Sequence, residues 1–290
     1  MGRKRKSEKS KKRLGYGIIA VVFIFACLLT YFALHSSPPE VAIIDHLSFY
    51  AQQRNQTFVD TCISILEEGG LSWNYYEGKE VTVNFYRKLP SYGTGLIILR
   101  VHSAMVEGKA VLGLFTSELY SDHKATTTYR EDVLHQRLVR AFFTEGGDEY
   151  FGIVPKFVEE SMEGKFEDTI VIMMGCEGLN YTGMAEAFVK RGAKVYVSWS
   201  GPVSIEHTDL ATVRLLQSLI IKKRTIKEAV EQTNYDVGPD PMYNSTLKYH
   251  PNSTEVGNYT IPNLKGSLPV NVAYSAPVQR TPARSKCTAH

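Results

Sequence analysis

The 290-residue chain is 43% hydrophobic and 22% charged, with a formal net charge of +3. Eight basic residues against one acid give residues 1–13 a charge of +7, which leaves −4 for the rest; the basic charge suits anionic lipid beside a membrane and gives no support to nucleic-acid binding. Four cysteines in a chain of this length do not make a disulfide scaffold.

Residues 1–13 form a basic segment, and residues 14–34 carry no charged side chain. That run of roughly 20 residues matches a bilayer core about 30 Å thick. A cleaved signal peptide would have an apolar region of only about 7–15 residues and a small-residue cleavage site. Here the run ends on Tyr31 and Phe32, which fit an interfacial belt. The expectation is a signal-anchor: one transmembrane helix over 14–34, its partner the lipid bilayer, the N-terminus cytoplasmic and the remainder extracytoplasmic, at a cell surface or in a secretory lumen. Glycosylation sequons agree with that topology. They stand at Asn55, Asn180, Asn244, Asn252 and Asn258, half of all the asparagines and all beyond the anchor.

After a linker over 35–40, residues 41–233 read as one α/β domain. Val41 to Ile44 predicts a strand, Asn55 to Leu66 a helix closed by Gly69 and Gly70, Leu71 to Tyr76 a strand, Val81 to Leu89 a short helix halted by Pro90, and Gly95 to Val101 a strand. Such alternation implies a mostly parallel sheet. Lys109 to Phe115 predicts a hairpin arm, and Glu131 to Glu160 predicts mostly helix around a Gly146-Gly147 break. Thr169 to Met174 predicts a buried strand, Met184 to Lys190 a helix, Ala193 to Val197 another strand, and Leu210 to Ile221 and Thr225 to Gln232 two further helices. Residues 234–290 read as a sequon-rich extension with an edge strand near 246–249 and the rest loosely packed, since little apolar surface offsets the ordering entropy.

Two of these strands end on chemistry. Leu96 to Val101 delivers His102, and Ile170 to Met174 delivers Cys176 after Gly175. In an open α/β sheet the carboxyl ends of neighbouring strands face one crevice, so the two side chains can meet there as a thiol nucleophile and its base. Cysteine arithmetic allows the thiol to be free: Cys27 lies in the anchor, and Cys62, Cys176 and Cys287 are an odd number outside, with Cys62 and Cys287 either paired or both reduced. No His-Glu-x-x-His or similar spacing supports a metal site, and no Gly-x-Ser-x-Gly elbow supports a serine esterase. No cofactor is expected.

The segment Thr169-Ile-Val-Ile-Met-Met-Gly-Cys-Glu-Gly resembles the nucleophile strand of caspase-like cysteine peptidases, the superfamily of caspases, legumains, gingipains, clostripain and CHAT-domain proteases. The run Ala185-Glu-Ala-Phe-Val-Lys-Arg-Gly-Ala-Lys-Val-Tyr-Val-Ser-Trp-Ser-Gly is similar to the next helix and strand of that family. The resemblance covers roughly Val41 to Gln232. It implies a three-layer α/β/α sandwich, a peptide or protein substrate, Cys176 as nucleophile, His102 as general acid and base, and the backbone N–H groups of Ser103 and Cys176 as oxyanion donors. It also implies a substrate pocket around Asp45 and His46 and around Ser198, Trp199, Ser200 and Gly201, where an acidic Asp45 would favour a basic residue. The family usually has Gly after the His, where this chain has Ser103. The leading expectation is a membrane-anchored extracytoplasmic cysteine endopeptidase. The alternatives are a catalytically silent surface-binding module of the same fold and a type II membrane glycosyltransferase, which would need an Asp-x-Asp motif that the sequence lacks.

Overall fold

The computed structural model describes residues 40–142 and 147–261. The expected basic segment, the anchor, all but the last residue of the linker, the tail beyond 261 and Cys287 lie outside the described residues. Among those described, no helix is long and apolar enough to cross a membrane.

The chain runs β1 (Val41–Asp45), α1 (Gln56–Glu68), β2 (Trp73–Glu77), α2 (Val83–Lys88), β3 (Leu96–Arg100), β4 (Ser103–Met105) and β5 (Leu112–Leu119). It continues through α3 (Asp122–Thr126), α4 (Arg130–Leu134), β6 (Leu138–Phe142), β7 (Glu149–Ile153), α5 (Pro155–Glu160), β8 (Ile170–Met173), α6 (Gly183–Lys190) and β9 (Val195–Trp199). It ends with α7 (Ile205–Leu216), a π turn over Gln217–Ile221, α8 (Ile226–Val237), β10 (Leu247–His250) and α9 (Thr254–Gly257).

A six-stranded sheet in the order β10-β9-β8-β3-β1-β2 forms the centre, parallel except for the β10 edge. β1, β3 and β8 are buried along their whole length, which is why they read as continuous apolar runs. Alternate residues divide between two cores. Ala42, Ile44, Ile97, Leu99, Val171 and Met173 pack with Tyr86 of α2 and Phe188 of α6, while Val41, Ile43, Leu96, Ile98, Ile170 and Ile172 pack with Phe58 of α1, Leu215 of α7 and Ile226 of α8. Helices therefore cover both faces of a mostly parallel sheet.

The expectation of helix over Glu131 to Glu160 is corrected. Only α4 and α5 are helical; β6 and β7 join β4 and β5 in an antiparallel sheet of order β4-β5-β7-β6. Pairing decided this: Leu138, Phe151 and Ile153 are buried with Leu112 and Leu114 in the α2/α6 core, an outcome that spacing within one segment cannot reveal. Gly152 lies opposite Val139, whose Cγ2 would stand 3.1 Å from an added Cβ. The boundary near 233 also moves. β10 pairs with β9, and Leu247, Val256 and Ile261 are buried in the α1/α7/α8 core, so residues 234–261 belong to the domain.

Candidate functional site

The two strand ends meet in register. β3 pairs with β8 from Leu96↔Ile170 to Leu99↔Met173, and Met174 N–H extends the ladder to Leu99 O at 2.9 Å. His102 lies two residues past the end of β3 and Cys176 three past the end of β8, and Cys176 packs against the core on the α1 and α7 face. A direct tie holds the ends together: Ser103 Oγ donates to Cys176 O at 2.6 Å. Ser103 thus takes part in the junction, turning its side chain onto the Cys176 loop. Gly175 has to be glycine here, because an added Cβ would stand 2.5 Å from Ser103 Oγ and 2.6 Å from Val101 O. After Cys176 the chain enters a left-handed conformation at Glu177, with φ of 64°. Glu177 N–H donates to Gly201 O and Leu179 N–H to Trp199 O, which fastens this loop to the end of β9.

The imidazole of His102 makes a 2.6 Å hydrogen bond between Nε2 and Gln53 Oε1. Edge contacts with His46, Tyr50 and Phe115 surround it, at centroid distances of 6.2, 5.8 and 6.2 Å. Burial, reinforced by the Arg100 charge, lowers its pKa to about 4, so the ring is neutral at pH 7. The Cys176 thiol is directed to Val203: Sγ donates to Val203 O at 3.5 Å and lies 3.4 Å from Val203 N–H. Burial raises the thiol pKa against the pull of the Val203 N–H, and the charges of Glu177 and Asp240 raise it further. At pH 7 both groups are neutral, with Sγ held on Val203 and Nε2 on Gln53.

The two expected oxyanion donors differ in what fixes them. His102 O accepts from Phe115 N–H at 3.0 Å, so the planar trans peptide turns the Ser103 N–H to the opposite side, away from β5. The Cys176 N–H lies toward its own sulfur, where it favours the thiolate.

The expected substrate pocket is corrected, since four of its residues are buried. Asp45 is 0% exposed, held by Arg100 Nη1 at 2.9 Å and by Ser48 N–H at 3.1 Å. Ser198 Oγ donates to Met173 O at 2.7 Å, and Trp199 Nε1 donates to Thr208 Oγ1 at 2.9 Å. His46 is also 0% exposed, and neither ring nitrogen is within hydrogen-bond geometry of a partner. Ser200, half-buried, instead ties to Thr246. Burial first, then His102, holds the His46 pKa at about 3. Val203 stands against the thiol, and the charges of Glu177 and Asp240 act on it. Asp240 accepts from Ser204 N–H and Oγ–H and from the Met242 and Tyr243 N–H groups, at 2.7 to 2.9 Å. These bonds outweigh burial and bring its carboxyl down to about 2.

Sequence reasoning missed the polar cluster under the site. Arg100 donates to Asp45, to both oxygens of Asp209 at 2.7 and 2.9 Å, and to Gln53 O at 3.0 Å. A lone arginine inside an apolar strand was the available signal, because a buried guanidinium requires carboxylates. The asparagine sequons also divide. Asn55 caps α1, accepting from Phe58 N–H and donating to Asp209 Oδ2 at 2.9 Å, so its amide is committed inside the fold. Asn180, Asn244, Asn252 and Asn258 are exposed. Cys62, on the inner face of α1, is fully buried, with its pKa raised by burial. Among the described residues no cluster of His, Cys, Asp and Glu is arranged to hold a metal ion. No protein-family model matches this chain, and no curated protein matches it.

Proposed function

We propose that this chain is a cysteine peptidase of caspase-like α/β fold, tethered to a membrane through residues 14–34 with its domain on the extracytoplasmic side. The observation that carries this reading is the junction: a histidine and a cysteine just past the carboxyl ends of two adjacent parallel strands, their segments tied by the Ser103–Cys176 hydrogen bond. The order of the central strands and the helices on both faces also support it.

In the mechanism, the Cys176 thiol gives its proton to His102 as Sγ bonds to the carbonyl carbon of a peptide bond. The Ser103 and Cys176 N–H groups stabilise the oxyanion. The C–N bond then breaks as His102 returns the proton to the leaving amine, and a thioester remains. Water, losing a proton to His102, hydrolyses the thioester; the acid leaves and the thiol is restored. A second reading, a non-catalytic binding module of the same fold, is favoured by one observation: the thiol is held on Val203 with its pKa raised. A peptide-library scan separates the two. The peptidase reading expects cleavage that disappears in both Cys176→Ala and His102→Ala; cleavage unchanged in either, or none from the wild type, supports the binding module.

A further inference from the structure

Gln53 lies in the short turn Ala51–Gln53 before α1, 49 residues from His102 in sequence, yet its amide is the 2.6 Å partner of Nε2. Its backbone is fixed at both ends. Gln53 N–H donates to Tyr50 O at 2.9 Å, and Gln53 O accepts from Arg100 Nη2 at 3.0 Å. Arg100 is itself held by Asp45 and Asp209, and Asn55 Nδ2 donates to the Asp209 Oδ2 that Arg100 Nη2 also binds. The buried ion cluster therefore anchors the turn from which the side chain reaches the imidazole.

We propose that Gln53 is the positioning residue for His102: its amide oxygen accepts the Nε2 proton, fixes the neutral ring as the Nε2–H tautomer, and so assigns the basic lone pair to Nδ1. This rests on the peptidase reading for its kinetic consequence alone; the tautomer and its control by Gln53 are properties of the folded chain. A carboxamide holds the ring without stabilising its charge. Burial and the Arg100 charge keep the imidazole neutral, with His46 and Tyr50 at its edges and Asp45 and Asp209 beyond Arg100, and the carboxamide adds no countercharge that would protonate it.

The test uses the full-length chain labelled with 15N-histidine, with the His102 signals assigned by their loss in His102→Ala. The wild type is expected to show Nε2 protonated and Nδ1 bare at pH 7. Gln53→Glu, which puts a carboxylate against Nε2–H, is expected to raise the His102 titration midpoint by about 1 unit or more. Gln53→Ala should release the ring into a mixture of tautomers. A wild-type Nδ1–H tautomer, or a midpoint and tautomer unchanged in both variants, overturns the proposal. The kinetic arm, run on the same proteins, expects Gln53→Ala to lower kcat roughly tenfold or more with KM little changed. It expects Gln53→Glu to move the acid limb of kcat/KM upward with the NMR midpoint. A loss in KM alone counts against positioning. Absence of any turnover in the wild type fails the peptidase reading and leaves the NMR result to decide the role of Gln53.

Discussion

Arg100→Leu is expected to destabilise the domain by about 3–5 kcal/mol, the cost of breaking a buried ion cluster by removing one member. The guanidinium is 0% exposed and satisfies Asp45 and Asp209, which are 0% and 5% exposed. Burial already raises the Asp45 pKa, with Arg100 opposing it. Without the cation, two carboxylates share an apolar layer with no countercharge, and each must protonate or draw in water. Arg100→Lys is expected to recover only a part, because an ammonium cannot make the paired Nε and Nη2 bonds to Asp209 at 2.7 and 2.9 Å. The triple change Arg100→Leu, Asp45→Asn, Asp209→Asn should recover more, since it removes the uncompensated charges. Urea denaturation of the full chain measures this; a loss below about 1 kcal/mol for Arg100→Leu contradicts the cluster's structural role.

Stability is also expected to fall steeply in mild acid. His46 titrates at about 3 in the fold against 6.5 for an ordinary histidine, and His102 at about 4. In this window the unfolded chain binds more protons than the native one, so stability is complete above pH 6.5 and is lost as pH falls toward the folded values. At pH 5 the His46 contribution alone amounts to a loss of about 2 kcal/mol. Its cause is local: a wholly buried ring whose protonation would set a cation beside His102. Denaturant titrations from pH 7.5 down to pH 4.5 should show a slope that rises from near zero at the top of the range to about two protons taken up on unfolding near pH 5. His46→Phe should reduce that slope by about one proton. A slope of zero in this range contradicts the burial of both rings in their neutral forms.

The central sheet was legible because its strands declare themselves singly. β1, β3 and β8 are buried on both sides, and each needs an uninterrupted apolar run wherever its partners lie. Their polar ends, His102 and Cys176, stood out for the same reason. Of the second sheet only the β5 hairpin arm was legible: β6 alternates Leu138, Val139, Arg140, Ala141, Phe142 only as a strand already paired to β7, and the same residues satisfy a helical spacing. The pocket expectation failed through charge. Asp45 at a strand end looks presented to solvent until Arg100, 55 residues later, is brought beside it at 2.9 Å. Gln53 could not be found from sequence at all, since its role depends on where one turn is anchored by that pair. Asp240 carried a weak local signal in Gly238-Pro239-Asp240-Pro241, a turn sequence whose aspartate caps the backbone beyond it.

The central claim is that Cys176 and His102 act as one nucleophilic unit. The most direct measurement is the rate at which a peptidyl acyloxymethyl ketone alkylates the full-length chain, with the modified residue located by mass spectrometry. Alkylation is expected at Cys176 in preference to Cys62, which is buried on the inner face of α1, with a rate that falls about 100-fold or more in His102→Ala. Alkylation that ignores Cys176, or that proceeds at the same rate without the imidazole, would contradict it.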